Sequence, residues 1–411
     1  MSNPKEAYQE ITTRSALESS IARETAAMQQ DLDLRLKQLQ NGVSREGADA
    51  MLVTSNVNLL YLTGVIADAY LLVPAVGVPV RFVRRRGDVD EREGVSVRKP
   101  EDMPAWLADR GIPLPGRVLL EDEDISASDW RRLSALFRES LPGSGLLRAL
   151  RAVKTPYEIE VIRRTALRHT ELYRAIPRLY QAGMTELEFS AEIEREARRS
   201  GHLGVFRAFG RRMEIFMGSI LSGDNAGAVS PFDFALGGRG QHPSVPVGMT
   251  GGPLRPGTTV MVDVSGNWEG YLTDQTRVFR IGEIPEEAYR AHRVALAIQE
   301  EIARRGLPGT SCGALYDIAV AMAATAGLGD RFMGADRQAR FVGHGTGIEI
   351  NEPPVIAAGS RATLQAGNVI ALEPKFVIPQ VGAVGIENTW LVTETGMEKL
   401  TAAPEEILPL D

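Results

Sequence analysis

Polar and apolar positions divide the chain into stretches of distinct period. Over residues 1–42, Leu17, Ile21, Met28, Leu32, Leu36 and Leu39 recur at three-to-four spacing among Glu, Arg and Gln, which predicts an amphipathic helix. From Asp49 to Leu147 short apolar runs alternate with helical patterns. Ala50–Val53, Asn58–Gly64, Tyr70–Val73, Val78–Val83 and Arg117–Leu120 read as strands, and Pro104–Arg110 and Ser128–Phe137 as helices. A new helix then starts with mutually consistent signals: Thr155 can cap, Pro156 suits the first turn, and Glu158 completes a capping box. Thr185 and Glu188 repeat that device ahead of Glu186–Arg199. A hairpin pattern follows from Val260 to Val278, then helical patterns over Glu287–Arg305 and Gly309–Ala326, then further strands. Helices followed by a hairpin, twice over, point to two related halves closing on a shared sheet. The expected division is a helical extension over 1–30, a small α/β domain over 31–150 and an α+β domain over 151–411.

The apolar strands carry acids that patterning alone does not call for. Val260–Val278 holds Asp263 and Asp274 on its two strands, eleven positions apart and able to converge. An isolated carboxylate among apolar neighbours costs several kcal/mol to desolvate, so it calls for a cation partner. Read alone, the pair still leaves two solvated turn acids as the lesser reading. Three further stretches change that. Phe341-Val-Gly-His344-Gly-Thr-Gly sets one imidazole between glycines that allow close backbone approach. Val369-Ile-Ala-Leu-Glu373-Pro ends an apolar strand on an acid, and Ala383-Val-Gly-Ile-Glu387-Asn-Thr-Trp-Leu-Val sets another inside a strand. Four hard carboxylates with one imidazole suit a pair of Mn, Fe, Co or Zn ions better than Ca or Mg.

The order Asp263, Asp274, His344, Glu373, Glu387, with its spacings, resembles the pita-bread metallopeptidases, which include methionine aminopeptidase, aminopeptidase P, prolidase and the non-peptidase creatinase. The resemblance covers roughly residues 30 to 408 and extends to Tyr61-Leu-Thr-Gly64 in the first domain. It implies a pita-bread catalytic domain behind a smaller creatinase-type domain that shapes the site mouth and forms a homodimer. It also implies two divalent ions per chain, Mn foremost with Co, Zn or Fe as alternatives. Asp274 and Glu387 would bridge them, Asp263 would hold one, and His344 and Glu373 the other. Such a pair depresses the pKa of a shared water toward neutrality. Glu373 is then the candidate general base and proton shuttle.

The sequence departs from the peptidase pattern at three places. Where the family commonly has His-Glu-x-Pro, this chain has Asn351-Glu352-Pro353-Pro354, and Asn cannot carry charge or shuttle a proton. A second accessory histidine is expected near Pro246; the nearest candidate is His242, inside the Gly- and Pro-rich loop Asp224–Gly252. Gly385 stands where prolidase-like members tend to have Arg. His242 and Asn351 are therefore the candidate substrate-contacting residues beside Glu373. Phe232, Asp233 and Phe234, with Phe206, Arg207, Phe209, Phe216 and Met217 before them, could rebuild the pocket or simply pack in the core.

Composition narrows the partners. The 411 residues suffice for two or three domains with ample core, and 44% hydrophobic with 24% charged content is ordinary for a globular protein. A net charge of −7 argues against nucleic acid, and Arg84-Arg85-Arg86 reads as a solvated strand end. The single cysteine, Cys312, rules out an intrachain disulfide, fits a cytoplasmic compartment and reads as a helix-packing thiol. No apolar run reaches membrane-spanning length, and no Gly-rich phosphate loop occurs. The expected function is hydrolysis of short peptides with proline in second position, by attack of a metal-bridging hydroxide. The alternatives are a creatinase-like hydrolase or lyase acting on a small metabolite, and a binding protein with a disused site.

Overall fold

The structure is a computed structural model that describes residues 4–84, 94–210, 216–232 and 234–410, with side chains described from Arg23 onward. Arg85, Arg86, Asp233 and the side chains of Leu17 and Ile21 lie outside the described residues. The chain divides into two compact units between Arg151 and Ala152.

The first unit opens with α1 (Pro4–Arg45), which runs unbroken through residue 30, so the expected extension and the domain behind it share one helix. Residues 23–27 are exposed, whereas Leu32, Leu39 and Val43 are buried, so α1 docks by its second half. It is followed by β1 (Ala50–Val53), α2 (Asn56–Thr63), β2 (Ala69–Pro74), β3 (Val80–Val83), β4 (Val95–Ser96), α3 (Met103–Ala108), β5 (Arg117–Leu120), α4 (Ala127–Ser134), β6 (Glu139–Pro142) and α5 (Ser144–Ala152). The six strands form one sheet in the order β4-β3-β2-β1-β5-β6. The strand expected over Asn58–Gly64 is instead α2. Ser55 caps its N-terminus, Gly64 closes it in the left-handed conformation, and Leu59, Tyr61 and Leu62 are all buried, so no alternation marked it. Arg84 sits just past β3 and pairs with Asp68 at 2.7 Å, an exposed ion pair.

The second unit begins with α6 (Pro156–Ala175) and α7 (Glu186–Arg199), then β7 (Gly218–Ser222), β8 (Thr258–Asn267) and β9 (Leu272–Ile281). There follow α8 (Glu286–Arg305), α9 (Cys312–Thr325), β10 (Phe341–Gly345), β11 (Glu352–Ala357), β12 (Val369–Leu372), β13 (Lys375–Ile378), β14 (Gly382–Gly385), β15 (Asn388–Thr393), β16 (Gly396–Lys399) and β17 (Leu408–Pro409). One sheet runs β17-β9-β8-β7, a second runs β11-β10-β12-β15-β16, and β13 pairs with β14 alone. Helices α8 and α9 pack on the core cluster that includes Ile298, Ile302, Leu315, Phe332, Phe376 and Ile386. Cys312 opens α9 inside that core, and burial pushes its thiol up to about 11.

Both expected capping boxes are present. Thr155 Oγ accepts from the Glu158 amide at 3.2 Å while Glu158 Oε2 accepts from the Thr155 amide at 2.9 Å. Glu158 has a second use, since its Oε1 accepts from the Tyr271 hydroxyl at 2.9 Å and ties α6 to the β8–β9 turn. Nearby, His169 of α6 lies edge-on to Tyr173, with ring centroids 5.1 Å apart, and its Nδ1 is 2.9 Å from Thr273 Oγ1. Burial pushes its pKa down to about 3.

Two outcomes are expected. Thr155→Ala removes one half of a buried capping box and should cost about 1–2 kcal/mol, read as a lower denaturant midpoint at unchanged slope. His169 is neutral in the native state and binds a proton readily once unfolded. Between pH 6.5 and about 3 the unfolded chain therefore holds the extra proton, and stability falls as pH falls through that window. The slope should be up to about 1.4 kcal/mol per pH unit from this group, and His169→Gln should flatten it in acid titrations of stability.

Candidate metal centre

The β8–β9 hairpin sets the first two acids by register. Asp263 lies opposite Thr276, and Asp274 opposite Ser265. Two residues of offset on paired strands put both carboxylates on the same face as diagonal neighbours. Tyr173 of α6 fixes the backbone on either side of Asp263: its single O–H is shared between the Val262 and Gln275 carbonyls, and its oxygen accepts from the Val264 amide at 3.0 Å. Thr389 of β15 does the same for Asp274, its hydroxyl donating to the Asp274 carbonyl and accepting from its amide, both at 2.8 Å.

The other three groups come from the second sheet. His344 lies on β10 opposite Ala371 of β12, and Glu373 follows the last residue of β12, its amide donating to Val342 O at 2.9 Å. Glu387 was expected inside a strand, but it lies between β14 and β15, which belong to different sheets, and bridges to Thr276 of β9. The chain changes sheets at this point, and Gly385, with φ 151°, makes the bend. Arg277 holds the crossing from behind. Its buried guanidinium donates to the carbonyls of Thr276 and Glu387 and the Asn388 side-chain oxygen, each at 2.8 Å, and to the carbonyls of Ala403 and Pro404.

The structure thus brings all five expected ligands together as two triads that share Glu387: Asp274, His344 and Glu387, and Asp263, Glu373 and Glu387. Within each triad the donor atoms lie within 4.8 Å of one another. Burial, reinforced by Glu387, Asp263 and Glu373, pushes the Asp274 carboxyl well above the carboxylate range, and burial pushes Glu387 up to about 8. Glu387 Oε1 is buried with no hydrogen-bond partner among the described residues, while Oε2 accepts from Thr276 Oγ1 at 2.7 Å. No described lysine or arginine pairs with Asp274. Two acids driven toward neutrality, an orphaned carboxylate oxygen and a facing imidazole fit a divalent cation in the first triad.

The second triad already contains a cation. Lys375 Nζ donates to Asp263 Oδ2 and Glu373 Oε2, each at 2.8 Å, and lies 3.4 Å from Glu387 Oε2. No sequence-based expectation includes Lys375. Its signal is a charged residue in an otherwise apolar strand, Lys-Phe-Val-Ile, two positions after Glu373. Burial alone would lower its pKa, yet the Asp263, Glu373 and Glu387 carboxylates raise it well above the ordinary lysine value. Burial likewise would raise Glu373, but the Lys375 ammonium and His344, whose Nε2 is 3.5 Å from Glu373 Oε1, hold it down to about 2.

The two accessory candidates lie differently. His242 is exposed, and its Nδ1 is 2.8 Å from Ser244 Oγ in its own loop, outside both triads. Asn351 spends its amide on Phe209, accepting from the backbone amide at 2.7 Å and donating to the carbonyl at 3.2 Å. The loop Asp224–Gly252 carries Phe232 and Phe234 as an edge-to-face pair 6.1 Å apart.

The model described as metallopeptidase family M24 matches residues 160–394, and that described as the creatinase/prolidase N-terminal domain matches 35–153. The chain is 26% identical to the uncharacterized peptidase YqhT of Bacillus subtilis, over 92% of this chain and 100% of that protein. It is 22% identical to a Xaa-Pro dipeptidase of Pyrococcus horikoshii, over 91% of this chain and 98% of that one. A solved Xaa-Pro dipeptidase from Bacillus anthracis superposes with a TM-score of 0.75 at 21% identity, covering 92% of this chain and 100% of that one, which shows a shared fold. No described helix is long and apolar enough to cross a membrane. With the catalytic-domain match spanning more than half its length, the chain belongs to metallopeptidase family M24 and carries a creatinase/prolidase-type domain ahead of its catalytic one.

Proposed function

We propose that this metallopeptidase releases the N-terminal residue from short peptides with proline in second position. The observation that carries the reading is the buried triad Asp274, His344 and Glu387 in a chain of this family. The relatives named as Xaa-Pro dipeptidases, which it matches nearly end to end, support the substrate class. Manganese suits a site of carboxylates with a single imidazole, as do iron and cobalt. A bound divalent ion supplies charge to polarise a carbonyl and to acidify a water.

The chain's own groups do the rest. Glu373 is kept ionised by Lys375 and His344, and its Oε1 lies 3.5 Å from His344 of the first triad, which places a proton acceptor beside it. Thr276 and Thr389 hold Glu387 and Asp274 in place through hydroxyl hydrogen bonds. Asp263 is the most exposed of the five ligands, at 24% of its side chain, and so lies toward the approach to the site.

One observation favours a second reading, a creatinase-like hydrolase or lyase acting on a small metabolite. Asn351 is committed to the Phe209 backbone and His242 to its own loop. Neither is a ready donor for a peptide carbonyl.

Chelator-treated protein is expected to lose Xaa-Pro hydrolysis and to regain it with Mn or Co. Glu373→Ala should lower kcat by about 10²–10⁴-fold, the range for loss of a positioned proton-transfer group. No turnover across a Xaa-Pro panel by metal-loaded protein would reject the peptidase reading in favour of the small-metabolite one. In a separate measurement, His344→Ala should weaken metal binding by at least about tenfold, read by competition with a metal-chelating dye.

A further inference from the structure

We infer that Lys375 is the resident cation of the second triad, so that the chain holds one divalent ion, between Asp274, His344 and Glu387, where its five ligands would otherwise accommodate two. The inference deepens the proposed function, since it rests on the same metal site.

The geometry is that of an ammonium matched to its acceptors. A lysine ammonium has three N–H donors and no acceptor, and Lys375 Nζ faces three carboxylates, those of Asp263, Glu373 and Glu387, at 2.8, 2.8 and 3.4 Å. These are the donors of the second triad, and the ammonium uses the lone pairs that an ion would need. The first triad meets that ammonium only at the shared Glu387, through Oε2 at 3.4 Å; Glu387 Oε1 has no hydrogen-bond partner among the described residues, and no described lysine or arginine pairs with Asp274.

The side chain has little freedom to withdraw. Lys375 is fully buried, and its carbonyl accepts from the Met333 amide at 2.8 Å. Its strand neighbour Phe376 packs against Phe332 with ring centroids 5.2 Å apart. Phe332, Met333, Phe376, Val384 and Ile386 all belong to one apolar core, so an ammonium turned away from the carboxylates would face hydrocarbon.

An independent feature on the opposite strand makes room for the lysine. Gly385 pairs with Lys375 in the β13–β14 register. A Cβ at 385 would lie 2.7 Å from Lys375 Cα and 3.0 Å from Lys375 Cγ, and 2.5 Å from Pro374 O. Any larger residue there would press first on the β13 backbone that carries the lysine and then on its stem. Gly385 and Lys375 thus form one device: the first clears the space, and the second fills the cation position.

The test is metal stoichiometry. Full-length protein is stripped with chelator, equilibrated with Mn(II) alone, freed of excess and assayed by elemental analysis and electron paramagnetic resonance. Wild type should hold one Mn per chain, with the six-line spectrum of an isolated ion. Lys375→Gly should hold two, with that spectrum broadened by coupling between neighbouring ions. Lys375→Ala serves in its place if the glycine variant does not fold, and the wild-type measurement stands in either case. Two ions in wild type, or one in a folded variant lacking the lysine, would overturn the inference. No ion in wild type would overturn it together with the metal reading. The two failures separate cleanly: one ion without Xaa-Pro turnover rejects the peptidase function alone, and two ions with turnover reject the lysine assignment alone.

Discussion

Four carboxylates converge in one largely buried space, and the energetics of the catalytic unit turn on how their charge is compensated. Burial drives carboxylates toward protonation and neighbouring like charges add to it, as Asp274 and Glu387 show. Glu373 escapes that fate because an ammonium and an imidazole face it. Two neighbouring glutamates therefore differ widely in pKa, Glu373 at about 2 and Glu387 at about 8, with the Lys375 ammonium 2.8 Å from the first and 3.4 Å from the second. Compensation is uneven, and the deficit lies on the side of Asp274 and His344.

The fold supplies this arrangement by backbone means. An antiparallel pair with a fixed register delivers two acids to one face. A sheet-to-sheet crossing at Glu387 brings the second set of strands against them. Hydroxyls from Tyr173, Thr276 and Thr389 anchor the ligands or their backbones, from one rigid ring and two β-branched side chains with few rotamers to lose. None of these three hydroxyls carries charge; the charged groups about the site are the acids, His344, Lys375 and, behind the Glu387 crossing, Arg277.

Much of this was legible in the sequence, for identifiable reasons. Asp263 and Asp274 stand out because an acid in an alternating apolar strand has no cheap explanation, and His344 because glycines flank it. Both capping boxes were readable because their signal is local, complete within four residues. Asn58–Gly64 misled because a helix apolar on several sides shows no period, and tertiary burial rather than propensity decided it. Glu387 joins both triads as the sequence led one to expect, yet it lies between strands rather than within one, since a change of sheet at a glycine leaves no mark on hydrophobicity. Lys375 was passed over for a different reason: lysines at strand ends are common and usually solvated. Only the three-dimensional placement of acids distant in sequence, Asp263 and Glu387, reveals why this one is buried.

Arg277 carries one more consequence. Its guanidinium grips the carbonyls of Thr276 and Glu387 on one side and those of Ala403 and Pro404 on the other. Residues 403 and 404 are thereby tied to the backbone on which Glu387 sits, while β17 just beyond them pairs with β9. A segment that carries none of the five ligands thus shares one guanidinium with the backbone of Glu387, so the placement of a metal-binding acid depends in part on residues sixteen positions further along the chain.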